Sequence, residues 1–217
     1  STKPGAREVT TEDELARVIP AIAAISKKFP EAIISVDTFR SEVLKAAVSH
    51  GATIANDISG GERDINLWKV VAELKVPYVL MHMQGIPSTM QMNPQYEDVV
   101  TEIFDWLKKK ILQLNALGIH DLIIDPGFGF GKTIAHNFRL LRELSTFHLF
   151  GLPILAGVSR KSMICKVLKV NPGQALNGTS VLNSIALLNG ASILRVHDVR
   201  EANEAIQLIK ELNAAAD

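Results

Sequence analysis

The sequence predicts a (β/α)8 barrel of the TIM type. Two observations carry that prediction: short β-branched apolar runs alternate with amphipathic helical stretches along the whole chain, and run after run ends in a polar or charged side chain. Thr11-Glu12-Asp13-Glu14 reads as a capping box, with the Thr11 hydroxyl over the first turn and Glu14 reaching back, ahead of the periodic set Leu15, Val18, Ile19, Ile22 and Ile25. After Pro30, residues 32–37 form a nearly continuous β-branched run, the mark of a parallel strand buried on both faces. The pattern then repeats as helix 41–49, strand 53–58, helix 66–74, strand 78–82, helix 99–117, strand 122–125 and helix 135–144. Strand 154–157 follows, then a helical region from 161 to 189 broken near Pro172-Gly173, strand 193–196 and helix 200–212.

An open doubly wound sheet gathers its chemistry at one switch point, whereas a barrel spreads it around a ring of strand ends. Here the ends carry Asp37, Asn56-Asp57, His82, Asp125, Ser159-Arg160-Lys161, and Arg195 with His197, which favours the barrel. A barrel of this type needs eight strands. The chain is therefore expected to hold strands three to eight and helices two to eight, with residues 1–217 forming one domain and the first strand, helix and second strand lying outside it.

Composition narrows the function. Twenty-three basic and twenty-three acidic residues cancel, so no global field draws the chain to nucleic acid or an anionic membrane, and Lys108-Lys109-Lys110 reads as a solvated helix face. No window approaches the ~20 apolar residues of a membrane span, and Ser1 to Glu14 has no signal-peptide core. The single cysteine, Cys165, sits in the apolar stretch 163–168 as a small buried hydrophobe, which suits a reducing, cytoplasmic setting.

The most informative stretch is Asp125-Pro126-Gly127-Phe128-Gly129-Phe130-Gly131-Lys132-Thr133. It is a near miss to a phosphate-binding P-loop: that pattern needs glycine where this chain has Pro126, and the alternating phenylalanines leave little room for amides to wrap phosphates. Asp125 ends a buried strand, where an unpaired carboxylate is costly, so it either caps the turn or accepts hydrogen bonds from a ligand.

This stretch, together with Ser1-Thr2-Lys3-Pro4-Gly5-Ala6, Val36-Asp37-Thr38, Asn56-Asp57-Ile58, Met81-His82-Met83-Gln84-Gly85, Gly157-Val158-Ser159-Arg160-Lys161-Ser162 and Arg195-Val196-His197-Asp198-Val199, resembles the dihydropteroate synthases, in the family's order and over the entire chain. The resemblance implies a transferase of folate biosynthesis. Its reaction joins 6-hydroxymethyl-7,8-dihydropterin diphosphate to 4-aminobenzoate, giving 7,8-dihydropteroate and pyrophosphate. By the same resemblance Asp125, Asn56 and Asp37 meet the pterin edge, Lys161 reaches the pterin carbonyl and ring nitrogen, and Arg195 lies over the pterin face. Met81 and Gly157 shape the slot, Arg195 and His197 form an anion-binding pair, and the aminobenzoate sits at Ser162 between Thr2, Pro4 and Phe130. A dihydropterin offers N–H donors beside a carbonyl, which carboxylates and an amide satisfy in a dry barrel mouth.

The resemblance also implies Mg2+, whose expected asparagine ligand lies outside this chain, a homodimer formed through the late helices, and sulfonamides as inhibitors. Where the family usually has arginine the chain has Lys3, which keeps the charge but not the two-pronged fork suited to a diphosphate. Two other readings stay open: a methyltetrahydrofolate:corrinoid methyltransferase, which would share the pterin edge, and a non-catalytic pterin-binding barrel.

Overall fold

A computed structural model describes residues 9–87 and 89–215. Thr2, Lys3 and Pro4 lie outside the described residues. The elements are α1 Thr11–Lys28, β1 Ser35–Asp37, α2 Ser41–Ser49, β2 Ile54–Asp57, α3 Leu67–Leu74, β3 Tyr78–Met81, α4 Val99–Ala116, β4 Leu122–Asp125, α5 Ile134–Arg142, β5 Leu155–Ala156, α6 Ser162–Leu168, α7 Leu176–Leu188, β6 Ile193–Leu194 and α8 Val199–Ala214, with 3₁₀ turns at Leu144–Phe150 and Pro172–Gln174.

All strand pairings are parallel. The order β1-β2-β3-β4 continues through a bridge between Ile124 and Ile154 to the β5-β6 pair, so strands neighbour one another in chain order. Sequential parallel strands with helical crossovers are the arrangement of the TIM-barrel class.

Strand parity then assigns every side chain a side. Ala55, Tyr78, Leu80, Leu122, Ile124 and Ala156 face the helices and join the main core with Leu44, Ile103, Leu107 and Leu140, all of them buried. Each leucine or isoleucine among them contributes about 1.5–3 kcal/mol on burial. The opposite parity gives a second, smaller apolar layer of Ile54, Val79, Ile123 and Leu155 inside the curve of the sheet. Two residues further along each strand, on that same inner side, stand Asn56, Met81, Asp125 and Gly157. The inner layer is therefore the floor on which the strand-end chemistry sits.

Two expectations are corrected. The first helix is capped by Thr10 rather than Thr11: the Thr10 hydroxyl accepts from Asp13 N (3.2 Å). Glu14 does not reach back but takes the Thr38 hydroxyl (2.6 Å) and pairs with Arg40, a tertiary partnership that wins over the local one. Nor is Lys110 a solvated cation. Its ammonium donates to Gly60 O (3.0 Å), pairs with Glu62 (3.0 Å) and lies over the rings of Trp68 and Trp106, tying α4 to the β2–α3 loop. Cys165 is half-buried and packs against the core. No helix among the described residues is long and apolar enough to cross a membrane.

Candidate functional site

Three strand ends converge through one side chain. Arg195, which follows β6, sends its guanidinium across the mouth, where Nη2 donates to Asp125 Oδ2 (2.8 Å) and Nη1 to Asn56 Oδ1 (3.4 Å). Gly157 makes room for it, since a Cβ there would stand 3.0 Å from Nη2 and 3.2 Å from Nε. Asp125 is fully buried and its other oxygen accepts from Gly127 N (2.7 Å), so the buried carboxylate is charge-paired and hydrogen-bonded as its location demands. Asp37, on the outermost strand β1, is exposed toward the mouth. The protein packed around it still raises its pKa by desolvation, against the pull of the Arg195 guanidinium and an Asn56 hydrogen bond.

Lys161 enters from the turn after β5. Its ammonium donates to Phe128 O and lies 4.9 Å from the centre of the Phe130 ring, and desolvation lowers its pKa to about 8, with Asp125 opposing and Arg195 assisting. Gly129 gives this side chain its passage: a Cβ would stand 3.2 Å from Lys161 Cδ. The turn is bent by Arg160, whose φ of 54° places a non-glycine residue in left-handed backbone. A bidentate fork from Arg160 to Asp198 (2.9 and 2.6 Å), a bond to Pro172 O (2.6 Å) and one from Arg160 N to Thr179 Oγ1 (3.0 Å) hold it there. Arg160 thus aims Lys161 and does not itself enter the mouth.

The structure gathers Asp37, Asn56, Asp125, Gly157, Lys161, Arg195 and Phe130. Other expected residues fall elsewhere. Met81 is wholly buried beneath the mouth. Ser162 is exposed as the first residue of the seven-residue α6. β6 ends at Leu194, so strand alternation does not place Arg195 and His197 on a shared face; His197 is exposed, and its backbone N–H bonds Ser159 Oγ (3.2 Å). The neighbouring polar ends are structural by parity. Asp57 points toward the helices and accepts from Ser59 N, Ser59 Oγ, Gly61 N and the Tyr78 hydroxyl, each at 2.7 Å. His82, also outward, is buried edge-on against Trp106, 5.1 Å between centroids, and burial with the Lys132 charge lowers its pKa well below the usual value.

Sequence reading missed Lys132 and Asn137. Asn137 accepts from Gly129 N (2.6 Å) and donates to Thr133 O (2.7 Å) and Lys132 O (3.3 Å), clamping the glycine-rich turn to α5. The polar residue in an otherwise apolar helical face was the available signal. Among the described residues no group of three or more His, Cys, Asp or Glu converges to hold a metal ion.

Fold and strand-end chemistry together define a parallel βα enzyme that can bind a flat, donor-rich heterocycle against Asp125 and Asn56. The family model described as pterin binding enzyme matches residues 1–197. The chain belongs to this pterin-binding family, in its dihydropteroate synthase branch. It is 45% identical to the dihydropteroate synthase of Escherichia coli K12 over all of this chain and 77% of the relative. Among solved structures it resembles the Yersinia pestis dihydropteroate synthase in complex with a sulfonamide drug, at 41% identity and a TM-score of 0.96, over 99% of this chain and 78% of that one. The Xanthomonas albilineans dihydropteroate synthase with 4-aminobenzoic acid matches at 40% identity and a TM-score of 0.92, over 99% and 77%.

Proposed function

We propose that the chain condenses 6-hydroxymethyl-7,8-dihydropterin diphosphate with 4-aminobenzoate. The carrying observation is the convergence of Asp125, Asn56 and Arg195 on the inner side of the strand ends, with Lys161 alongside. Support comes from the dihydropteroate synthase relatives and from the solved neighbours bound to a sulfonamide drug and to 4-aminobenzoic acid.

In this reading Asp125 and Asn56 accept from the pterin's donor edge, Asp37 borders it, and Lys161 donates to the pterin carbonyl and ring nitrogen. The aminobenzoate nitrogen forms a bond to the exocyclic methylene carbon as the carbon–oxygen bond to diphosphate breaks. The bonding pair leaves on the diphosphate oxygen and the amine proton passes to solvent. Binding a stable leaving group and tolerating charge on the methylene carry most of the catalysis. Arg195, which Asp125 and Asn56 hold at the mouth until the pterin edge takes their acceptors, supplies positive charge there; His197, Ser162, Thr2, Lys3 and Pro4 are assigned to anion and aminobenzoate binding on the resemblance.

The described residues supply no metal cluster, so Mg2+ is proposed on the diphosphate's chemistry alone, and chelation of the assay mixture tests it. A homodimer is proposed on the exposed apolar stripe of α7, Val181, Ile185 and Leu188, and a cytoplasmic location on the near-neutral charge and lone cysteine. The deciding experiment is pyrophosphate release from the dihydropterin diphosphate with and without 4-aminobenzoate. Release that depends on 4-aminobenzoate supports the synthase; binding of the pterin without release would support the non-catalytic reading instead.

A further inference from the structure

The turn after β4 carries three left-handed glycines, Gly127, Gly129 and Gly131, with φ of 73°, 81° and 60°. Such a path offers its carbonyls no strand or helix partner, and buried backbone groups must find one. Five successive carbonyls here are taken by side chains. Gly127 O, which also accepts from Phe130 N (3.1 Å), and Phe130 O accept from Lys132 Nζ (2.9 and 3.0 Å), Phe128 O from Lys161, Gly129 O from Gln91 and Gly131 O from the Tyr96 hydroxyl (3.0 Å).

Lys132 is the centre of this arrangement. It is 3% exposed, makes no ion pair among the described residues, and its nitrogen also lies 3.1 Å from His82 Nδ1. Lysine is almost never fully buried unless paired, so this one needs a reason to be there. The reason is geometric. Gly127 donates its N–H to Asp125 and gives its carbonyl to Lys132, while the Phe130 carbonyl, also on Lys132, belongs to the residue whose ring faces Lys161.

We propose that Lys132 is a positioning residue for the condensation: by drawing the Gly127 and Phe130 carbonyls to one nitrogen it sets both the turn that orients Asp125 and the Phe130 wall, while touching neither substrate. This rests on the function proposed above. The groups facing Lys132 are His82 from the end of β3, Asp125 from β4, His136 from α5 and Lys161 from the turn before α6. Both protonation states of Lys132 fit the cage: an ammonium donates to both carbonyls and to His82 Nδ1, whereas an amine donates to the carbonyls and accepts from a protonated Nδ1.

Lys132→Met keeps the length and apolar stem but removes the donors. Two readouts on the full chain test the proposal. Hydrogen exchange should accelerate in the peptide covering 126–131 and stay unchanged in α4, and the KM for 4-aminobenzoate should rise about tenfold, with kcat per folded molecule changing less. A merely structural role would lower the folded fraction and leave KM in place. Lys132→Gln, which retains one donor, should fall between wild type and Lys132→Met, and carries both readouts if the methionine variant does not fold. Unchanged exchange in the turn, or an unchanged KM in folded variants, would overturn the proposal. A wild-type chain that releases no pyrophosphate would instead sink the proposed function, and the exchange result would still decide the part played by Lys132 in the turn.

Discussion

Asp57 and Asp125 are both aspartates that close a parallel strand, and one step of strand parity separates their roles. Asp57 faces the helices and is saturated by four protein donors; Asp125 faces inward and takes Gly127 N and the Arg195 guanidinium. Composition could not choose between Asn56 and Asp57; the resemblance named Asn56, and the inner layer of Ile54, Val79, Ile123 and Leu155 explains why. Asp125→Ala should abolish the calorimetric heat of pterin binding while the protein remains folded. Asp57→Ala should cost about 3 kcal/mol of stability, read by thermal denaturation, yet leave pterin binding in the folded fraction. Lys132 gives a separate signature. Burial lowers its pKa to about 7, against an ordinary 10.5, so across that window the unfolded chain binds the extra proton and stability rises with pH. Lys161, lowered to about 8, adds to the rise as pH increases. Lys132 therefore contributes to the rise from about pH 7 upward, approaching ~1.4 kcal/mol per pH unit at most, and Lys132→Met should make it shallower in denaturant titrations.

Elements were legible wherever period and punctuation agreed. The helix 41–49 and the strand 122–125 fall where the pattern puts them, and the other strands are shorter by one or two residues at an end, or by more at β1. What local pattern could not show was tertiary: Glu14 leaving its capping box for Thr38 and Arg40, Lys110 turning inward between two tryptophans, and helix 135–144 giving way to a 3₁₀ turn that buries Leu144 and Phe147. The glycine-rich turn was recognised by composition, but its dependence on Lys132 and Asn137 required the fold. Within that turn Gly127 is the position least able to change. A Cβ would stand 1.9 Å from His82 O on a backbone of φ 73°, so Gly127→Ala should lower stability by at least about 2 kcal/mol, measurable as a fall in Tm.

At the scale of the molecule the chain presents two unlike surfaces. The strand ends gather charge; the late helices expose Val181, Ile185 and Leu188 of α7, with Leu208 and Leu212 on the neighbouring α8. An apolar face of this kind suits an isologous pairing of two copies. If that pairing forms, Ile185→Glu should halve the mass seen in sedimentation equilibrium without moving the KM for either substrate, because the Ile185 side chain is exposed and makes none of the contacts that hold the strand-end residues.

The guanidinium of Arg195 has one more consequence. The pterin edge proposed to bind Asp125 is itself guanidine-like, and Asp125 as folded already holds such a group, tethered to the same chain. Arg195 therefore acts as an intramolecular competitor at high effective concentration, and the affinity of any pterin mimic measures how far it outbids that tethered rival rather than the full strength of its own bonds to the carboxylate.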